Sequence, residues 1–154
     1  MSTTIEEFSG EREATLIEKL TAVWNGSVRA SHHFLTERDI AKLIPQVEAA
    51  LQSIEHLVVA SENGTPVGFM GIQERKIEML FLAPACIGKG LGKKMMRLAI
   101  RQYGASHVDV NEQNEMAEGF YRHMGFRTFR RDETDEQGNP FPILHMQLDE
   151  QQKQ

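Results

Sequence analysis

The stretch from Ile77 to Tyr103 places the strongest constraint on how this chain can fold. It opens with an apolar run (Ile77, Met79, Leu80, Phe81, Leu82) and stops at Pro84. The loop Ile87-Gly88-Lys89-Gly90-Leu91-Gly92 follows, and a helical pattern runs from Leu91 to Tyr103. Glycine at alternate positions lets a backbone approach a ligand closely and adopt conformations that a Cβ forbids. The first amides of a helix have no intrahelical partner, and the helix dipole puts partial positive charge there. Strand, glycine loop and helix start, in that order, predict a phosphate-binding corner.

Two common phosphate loops fail on spacing. A Walker loop needs glycine where Ile87 stands and a hydroxyl where Lys94 stands. The dinucleotide fingerprint beginning at Gly88-Lys89-Gly90 needs glycine at Lys93. A glycine-rich connection with no ligand is the bland alternative. Three glycines between Gly88 and Gly92, at a helix start, weigh against it.

At 154 residues the chain suits one domain, expected over residues 1–148 with a loose tail at 149–154. A net charge of −5 argues against general nucleic-acid binding, which leaves a basic footprint. Cys86 is the single cysteine, so no internal disulfide forms and a reducing compartment is expected. The N-terminus lacks an apolar signal core, and no apolar run approaches membrane-spanning length. Together these predict a cytoplasmic protein with no membrane partner. Oligomeric state is not legible; a homodimer is admitted.

Elsewhere the patterns alternate between helix and strand. Thr3–Phe8 reads as a strand ended by Ser9-Gly10. Leu16, Leu20, Val23 and Trp24 recur at helical spacing between Glu11 and Arg29. Thr36 and Asp39 form a capping-box pattern ahead of a helix whose apolar face is Ile40, Leu43, Ile44, Val47 and Leu51; Pro45 is expected to kink or divide it. Strands are expected at Glu55–Ala60 and Pro66–Gln73 across an Asn63-Gly64 turn. Further strands are expected at Val108–Val110, Phe126–Asp132 and Phe141–Leu148, with a helix from Asn114 to Met124 stopped by Gly125. The six histidines lack metal-ligand spacing, and Cys86 has no cysteine partner, so no metal is expected.

Two blocks carry a family resemblance. Leu80-Phe81-Leu82-Ala83-Pro84 with Gly88-Lys89-Gly90-Leu91-Gly92 resembles the acetyl-CoA loop of the GNAT superfamily of N-acetyltransferases. Its pattern Arg/Gln-x-x-Gly-x-Gly/Ala falls on Ile87 to Gly92, with Ile87 in place of the polar first residue. Asn114, Ala117, Phe120-Tyr121 and Gly125-Phe126 are similar to the family's N-x-x-A-x-x-F-Y…G-F segment. Trp24, Ser27-Val28, Ser31-His32 and Phe34-Leu35 extend the likeness toward the small bacterial YjaB-like acetyltransferases.

The resemblance implies an α/β fold: a mixed, mostly antiparallel sheet of about seven strands with helices on both faces. It implies acetyl transfer from acetyl-CoA to a primary amine by direct attack in a ternary complex. The alternative is a module that binds or senses coenzyme A without catalysis. The amides of Gly88, Lys89, Gly90, Leu91 and Gly92 would bind the pyrophosphate, with Lys89 and Lys93 adding charge. A backbone N–H at Phe81 or Leu82 would face the thioester carbonyl, and Asn114 the pantetheine arm. Tyr121 would act toward the departing sulfur. Glu78 is the first candidate base and His32 the second; Trp24, Ser27 and Phe34 are candidates for the acceptor pocket, although Trp24 also fits its helix's buried stripe.

Overall fold

The computed structural model describes residues 3–149. Seven strands form one sheet: β1 (Thr3–Glu7), β2 (His56–Glu62), β3 (Thr65–Gln73), β4 (Lys76–Leu82), β5 (His107–Asn111), β6 (Phe126–Asp132) and β7 (Ile143–Leu148). Four helices accompany them: α1 (Ala14–Ser31), α2 (Glu37–Ser53), α3 (Leu91–Tyr103) and α4 (Glu115–His123). The spatial order is β1-β2-β3-β4-β5-β7-β6. Every neighbouring pair is antiparallel except β4 and β5, which the α3 crossover makes parallel. The residues expected as a loose tail lie outside the described residues from 150 onward.

Local chemistry accounts for most boundaries. Thr36 Oγ1 accepts the Asp39 N–H, and the Asp39 carboxylate accepts the Thr36 N–H, so the capping box closes in both directions. Asn63 and Gly64 both take positive φ, as a tight hairpin with right-handed strand twist requires. α3 is bounded by glycines in the left-handed region, Gly90 before it and Gly104 after it. Asn114 caps α4 by accepting the Ala117 N–H. Half of one expectation fails: Pro45 does not divide α2, which continues through it to Ser53. Proline there removes the bond to the Ala41 carbonyl, but Ala41 and Pro45 lie on the exposed side of α2, where water can reach that carbonyl.

Each face of the sheet has its own core. On one face α3 and α4 bring Leu91, Met95, Met96, Ala99 and Tyr121 against Ile77, Val108, Val110, Leu144 and Met146. On the other, α1 and α2 bring Leu20, Val23, Trp24, Ile40 and Leu51 against Leu57, Phe69 and Met79. No described helix is long and apolar enough to cross a membrane. Because the α2 cap satisfies orphan amides directly, Thr36→Ala should lower unfolding stability by about 1 kcal/mol, with Thr36→Ser retaining most of it. Urea denaturation of the three proteins measures this.

Candidate active site at the open end of β4 and β5

The pairing of β4 with β5 covers Lys76↔His107 and Ile77↔Val108 and goes no further. A bulge coincides with the break. Ile77 pairs with Ile72 and Met79 with Gly71, so Glu78 is an extra residue with no partner on β3. The bulge also resets the alternation. Ile77 faces the α3/α4 core, whereas Met79 and Phe81 face the α1/α2 core. Beyond Ile77 the β5 side of β4 is therefore an unpaired edge inside the sheet.

Hydrogen-bond direction identifies the amides on that edge. Ala83 N–H donates to Val67 O at 2.8 Å, which makes Gly68↔Leu82 a non-hydrogen-bonded pair. Leu82 N–H, and Leu80 N–H two residues earlier, thus point away from β3 and into the gap. Phe81 N–H points to β3. Of the two amides expected at the gap, the strand geometry selects Leu82.

The glycine loop closes the same end. Pro84–Cys86 form a short 3-10 turn, which proline favours at its start, and Ile87 N–H donates back to Pro84 O. Gly88 and Gly90 have φ of +82° and +87°, a region that penalises any side chain. Among the described residues the amides of Gly88, Lys89 and Gly90 have no backbone acceptor. Those of Leu91, Gly92 and Lys93 belong to the unsatisfied first turn of α3. Lys89 is exposed and Lys93 half-buried. Gly92 lies against both Phe120 and Leu82, so a methyl there would sit 3.4 and 3.6 Å from them. This contact brings α3, α4 and the end of β4 together.

Tyr121 is buried on α4, with its ring edge-on to Phe120 and Phe126 at 5.4 and 6.2 Å. Its hydroxyl has no protein partner among the described residues. Among the described residues the fully enclosed side-chain oxygen without a partner is Thr21 Oγ1, so the Tyr121 oxygen is not completely enclosed. Burial pushes the phenol well above the usual tyrosine range, so it stays protonated and remains a donor.

A hydrogen-bond chain joins the end of α1 to the start of α4. Ser31 Oγ–H donates to Ser27 O at 2.9 Å, which leaves Ser31 Oγ as acceptor for His32 Nδ1–H at 2.8 Å. The Asn114 oxygen is used on Ala117 N–H, so its NH2 faces His32 Nε2 at 3.3 Å. These constraints specify a neutral imidazole protonated on Nδ1. Its ring lies 5.4 Å from Phe34 and 6.5 Å from Phe81, and Phe34 reaches Phe141 of the β6–β7 loop at 5.7 Å. The Phe34–Phe141 contact joins the α1–α2 loop to the β6–β7 loop, and Gln137 of the latter bonds Gln46 of α2 at 2.7 and 3.2 Å. Trp24 and Ser27 are buried in α1 at 4% and 6% exposure, Trp24 within the α1/α2 core.

Contacts link the expected site residues in two groups: Gly92 lies against Leu82 and Phe120, whose ring packs on Tyr121, and His32 contacts both Phe81 and Asn114. Glu78 stands at the closed end of the gap, exposed, with its carboxylate 3.4 Å from Lys76 Nζ. The bulge that puts it there and the His32–Asn114 contact were not foreseen. Residues 82 apart in sequence carry no local signal of their bond.

Burial, and secondarily the charge of His33, depress the His32 pKa from 6.5 to about 4. The unfolded chain therefore binds this proton more readily than the folded one between those values. The contribution is fully present above pH 6.5 and is lost as pH falls toward 4, up to about 3 kcal/mol. His32→Gln should flatten the stability profile across that window, as read by denaturant unfolding at a series of pH values.

Comparison with known proteins agrees with this geometry. Residues 25–149 match the family model described as an acetyltransferase (GNAT) domain. Peptidyl-lysine N-acetyltransferase YjaB of Salmonella typhimurium is 37% identical over 129 residues, covering 84% of this chain and 89% of that protein. Peptidyl-lysine N-acetyltransferase YiaC of Escherichia coli is 26% identical over 75% of this chain and 80% of its own. The solution structure of apo YjaB from Escherichia coli superposes with a TM-score of 0.83 at 34% identity, covering 96% of this chain and 97% of that one. The PaiA N-acetyltransferase of Thermoplasma acidophilum, solved with coenzyme A, shares the fold at TM-score 0.62 and 23% identity, covering 94% and 98%. Family match, overall fold and the YjaB likeness converge: this chain belongs to the GNAT family of acetyltransferases.

Proposed function

We propose that this chain moves an acetyl group from acetyl-CoA to the side-chain amine of lysine in a peptide or protein, by direct attack in a ternary complex. The reading rests first on the end of β4–β5 pairing after Ile77, which turns Leu82 N–H toward an open gap. YjaB and YiaC are peptidyl-lysine N-acetyltransferases, which supports lysine as the acceptor class. GNAT enzymes use acetyl-CoA, and no residue of the site calls for a metal.

The amides of residues 88–92 bind the diphosphate, backed by the positive end of α3 and by Lys89 and Lys93. Ile87 contributes its backbone only, so the grip depends on N–H groups. Asn114, already bonded to Ala117 and His32, borders the coenzyme's arm. Leu82 N–H donates to the thioester oxygen as it gains charge; one such preorganised donor is worth about 3 kcal/mol. Phe81 supplies no amide here; its ring forms the acceptor-side wall with His32. Glu78 accepts the proton of the lysine ammonium, whose pKa near 10.4 keeps it charged in water. His32, held neutral, does not repel that cation. The amine nitrogen bonds to the carbonyl carbon, the C–S bond breaks and sulfur leaves with the electron pair; the second proton lost by the nitrogen passes to that sulfur, which departs as the thiol. Tyr121 O–H donates a hydrogen bond to the thiolate. Its raised pKa makes complete proton transfer unfavourable and makes the donor role the natural one.

Release of free thiol from acetyl-CoA should depend on a lysine-containing peptide, with acetylation located on Nε by mass spectrometry. Thiol release absent with lysine peptides, α-amines and polyamines alike would overturn catalysis in favour of a coenzyme-binding module. Tyr121→Phe should lower kcat about 100-fold with the acetyl-CoA Kd unchanged. A kcat equal to that of the parent would remove Tyr121 from the reaction.

A further inference from the structure

Five side chains outside the assigned site form a row across the sheet. Lys76 Nζ lies 3.4 Å from Glu78 Oε1 and 2.5 Å from Asp109 Oδ2. Asp109 Oδ1 lies 2.7 Å from His145 Nδ1, and His145 Nε2 lies 2.7 Å from Asp132 Oδ2. Arg130 ends the row beside Asp132 at 3.5 Å and His145 at 3.2 Å. Successive members come from β4, β5, β7 and β6. Ile77, Val108, Leu144 and Met146 face the α3/α4 core, so Lys76, Asp109 and His145 project from the opposite face of the sheet. There the row begins at the closed end of the gap.

We propose that Lys76 is the positioning residue for Glu78, with Asp109 holding Lys76 in place; this rests on the reading of Glu78 as the base. The need follows from the bulge. Glu78 has no partner on β3 and lies one residue past the last β5 pair, so no cross-strand neighbour directs its side chain. Its one ion pair among the described residues is with Lys76. Lys76 is itself restrained on two sides. Its side chain is 31% exposed, Asp109 26% and His145 14%, so the anchor is considerably drier than an ordinary surface pair. Burial opposes the Lys76 charge, but the hydrogen bond to Asp109, with Glu78 adding, more than offsets it and keeps the ammonium above the usual lysine range. A fixed cation one side chain away limits the orientations open to the Glu78 carboxylate and keeps it at the closed end of the gap. No bond is made or broken at Lys76.

The alternative is that Lys76 only fastens β4 to β5, where two residue pairs hold them. Steady-state kinetics with acetyl-CoA and a lysine peptide separate the two. Glu78→Gln is expected to lower kcat about 100-fold. Lys76→Met should lower kcat about 10-fold with the KM for acetyl-CoA unchanged, and Lys76→Arg should restore most of it. In the Glu78→Gln background, Lys76→Met should cause no further loss, because both changes act through one group. Asp109→Asn, which keeps the shape of the side chain, should reproduce the Lys76→Met pattern in both backgrounds and decides the question should Lys76→Met fail to fold. Full activity in Lys76→Met while Glu78→Gln is impaired overturns the proposal and leaves the base intact. An equal loss in both backgrounds also overturns it, since Lys76 would then act elsewhere. Full activity in Glu78→Gln removes the base reading, and the role of Lys76 with it.

Discussion

The site depends on a hydrogen-bond ladder that stops. Two strands in parallel register would satisfy each other's amides along their whole length. β4 and β5 do so for two residue pairs. The inserted residue at Glu78 shifts the remainder of β4 out of step, and Leu80 and Leu82 then present N–H groups to open space. Unpaired backbone donors inside a fold are costly unless something accepts from them. Under the proposed function the thioester carbonyl accepts from Leu82, so a structural defect and a functional donor would be the same atoms.

Holding the gap open requires rigid walls on both faces. The α3/α4 core supplies one, since Met95, Met96 and Phe126 are fully enclosed and seat α3 firmly on the sheet. The α1/α2 core supplies the other, through Leu20, Leu51 and Phe69. Bulky buried residues fill both and fix the helices against the sheet. The glycine loop then has a fixed frame, and its amides at residues 88–92 point where the start of α3 directs them. Preorganisation of this kind is what gives a backbone donor its catalytic value.

Much of this was legible in the order of residue types. α3 spans Leu91–Tyr103 as its apolar spacing and bounding glycines predict, and Thr36 with Asp39 marks the start of α2. Asn63-Gly64 and Gly125 stand where positive φ is needed. Those signals are local, each decided within a few residues. The unbroken course of α2 through Pro45 depended on which side of that helix meets water. The bulge at Glu78 was masked by the apolar run beside it: Met79 to Leu82 put apolar side chains on both faces of β4, so alternation carries no register there and one extra residue leaves no trace. The bonds from Asn114 to His32 and from Lys76 to Asp109 join elements far apart in sequence, and only the packed sheet brings them together.

That packing also explains why so few polar groups serve the opening. Asn114 uses its oxygen to start α4 and its NH2 to orient His32, so one buried side chain ties the acceptor wall to the helix that carries Tyr121. Seven residues separate Asn114 from Tyr121, close to two helical turns, which places both on the same side of α4. A shift of α4 would therefore move the cap, the imidazole and the phenol together. The two walls of the opening are coupled through the α4 N-terminus, and their geometry is set by the same bonds that begin the helix.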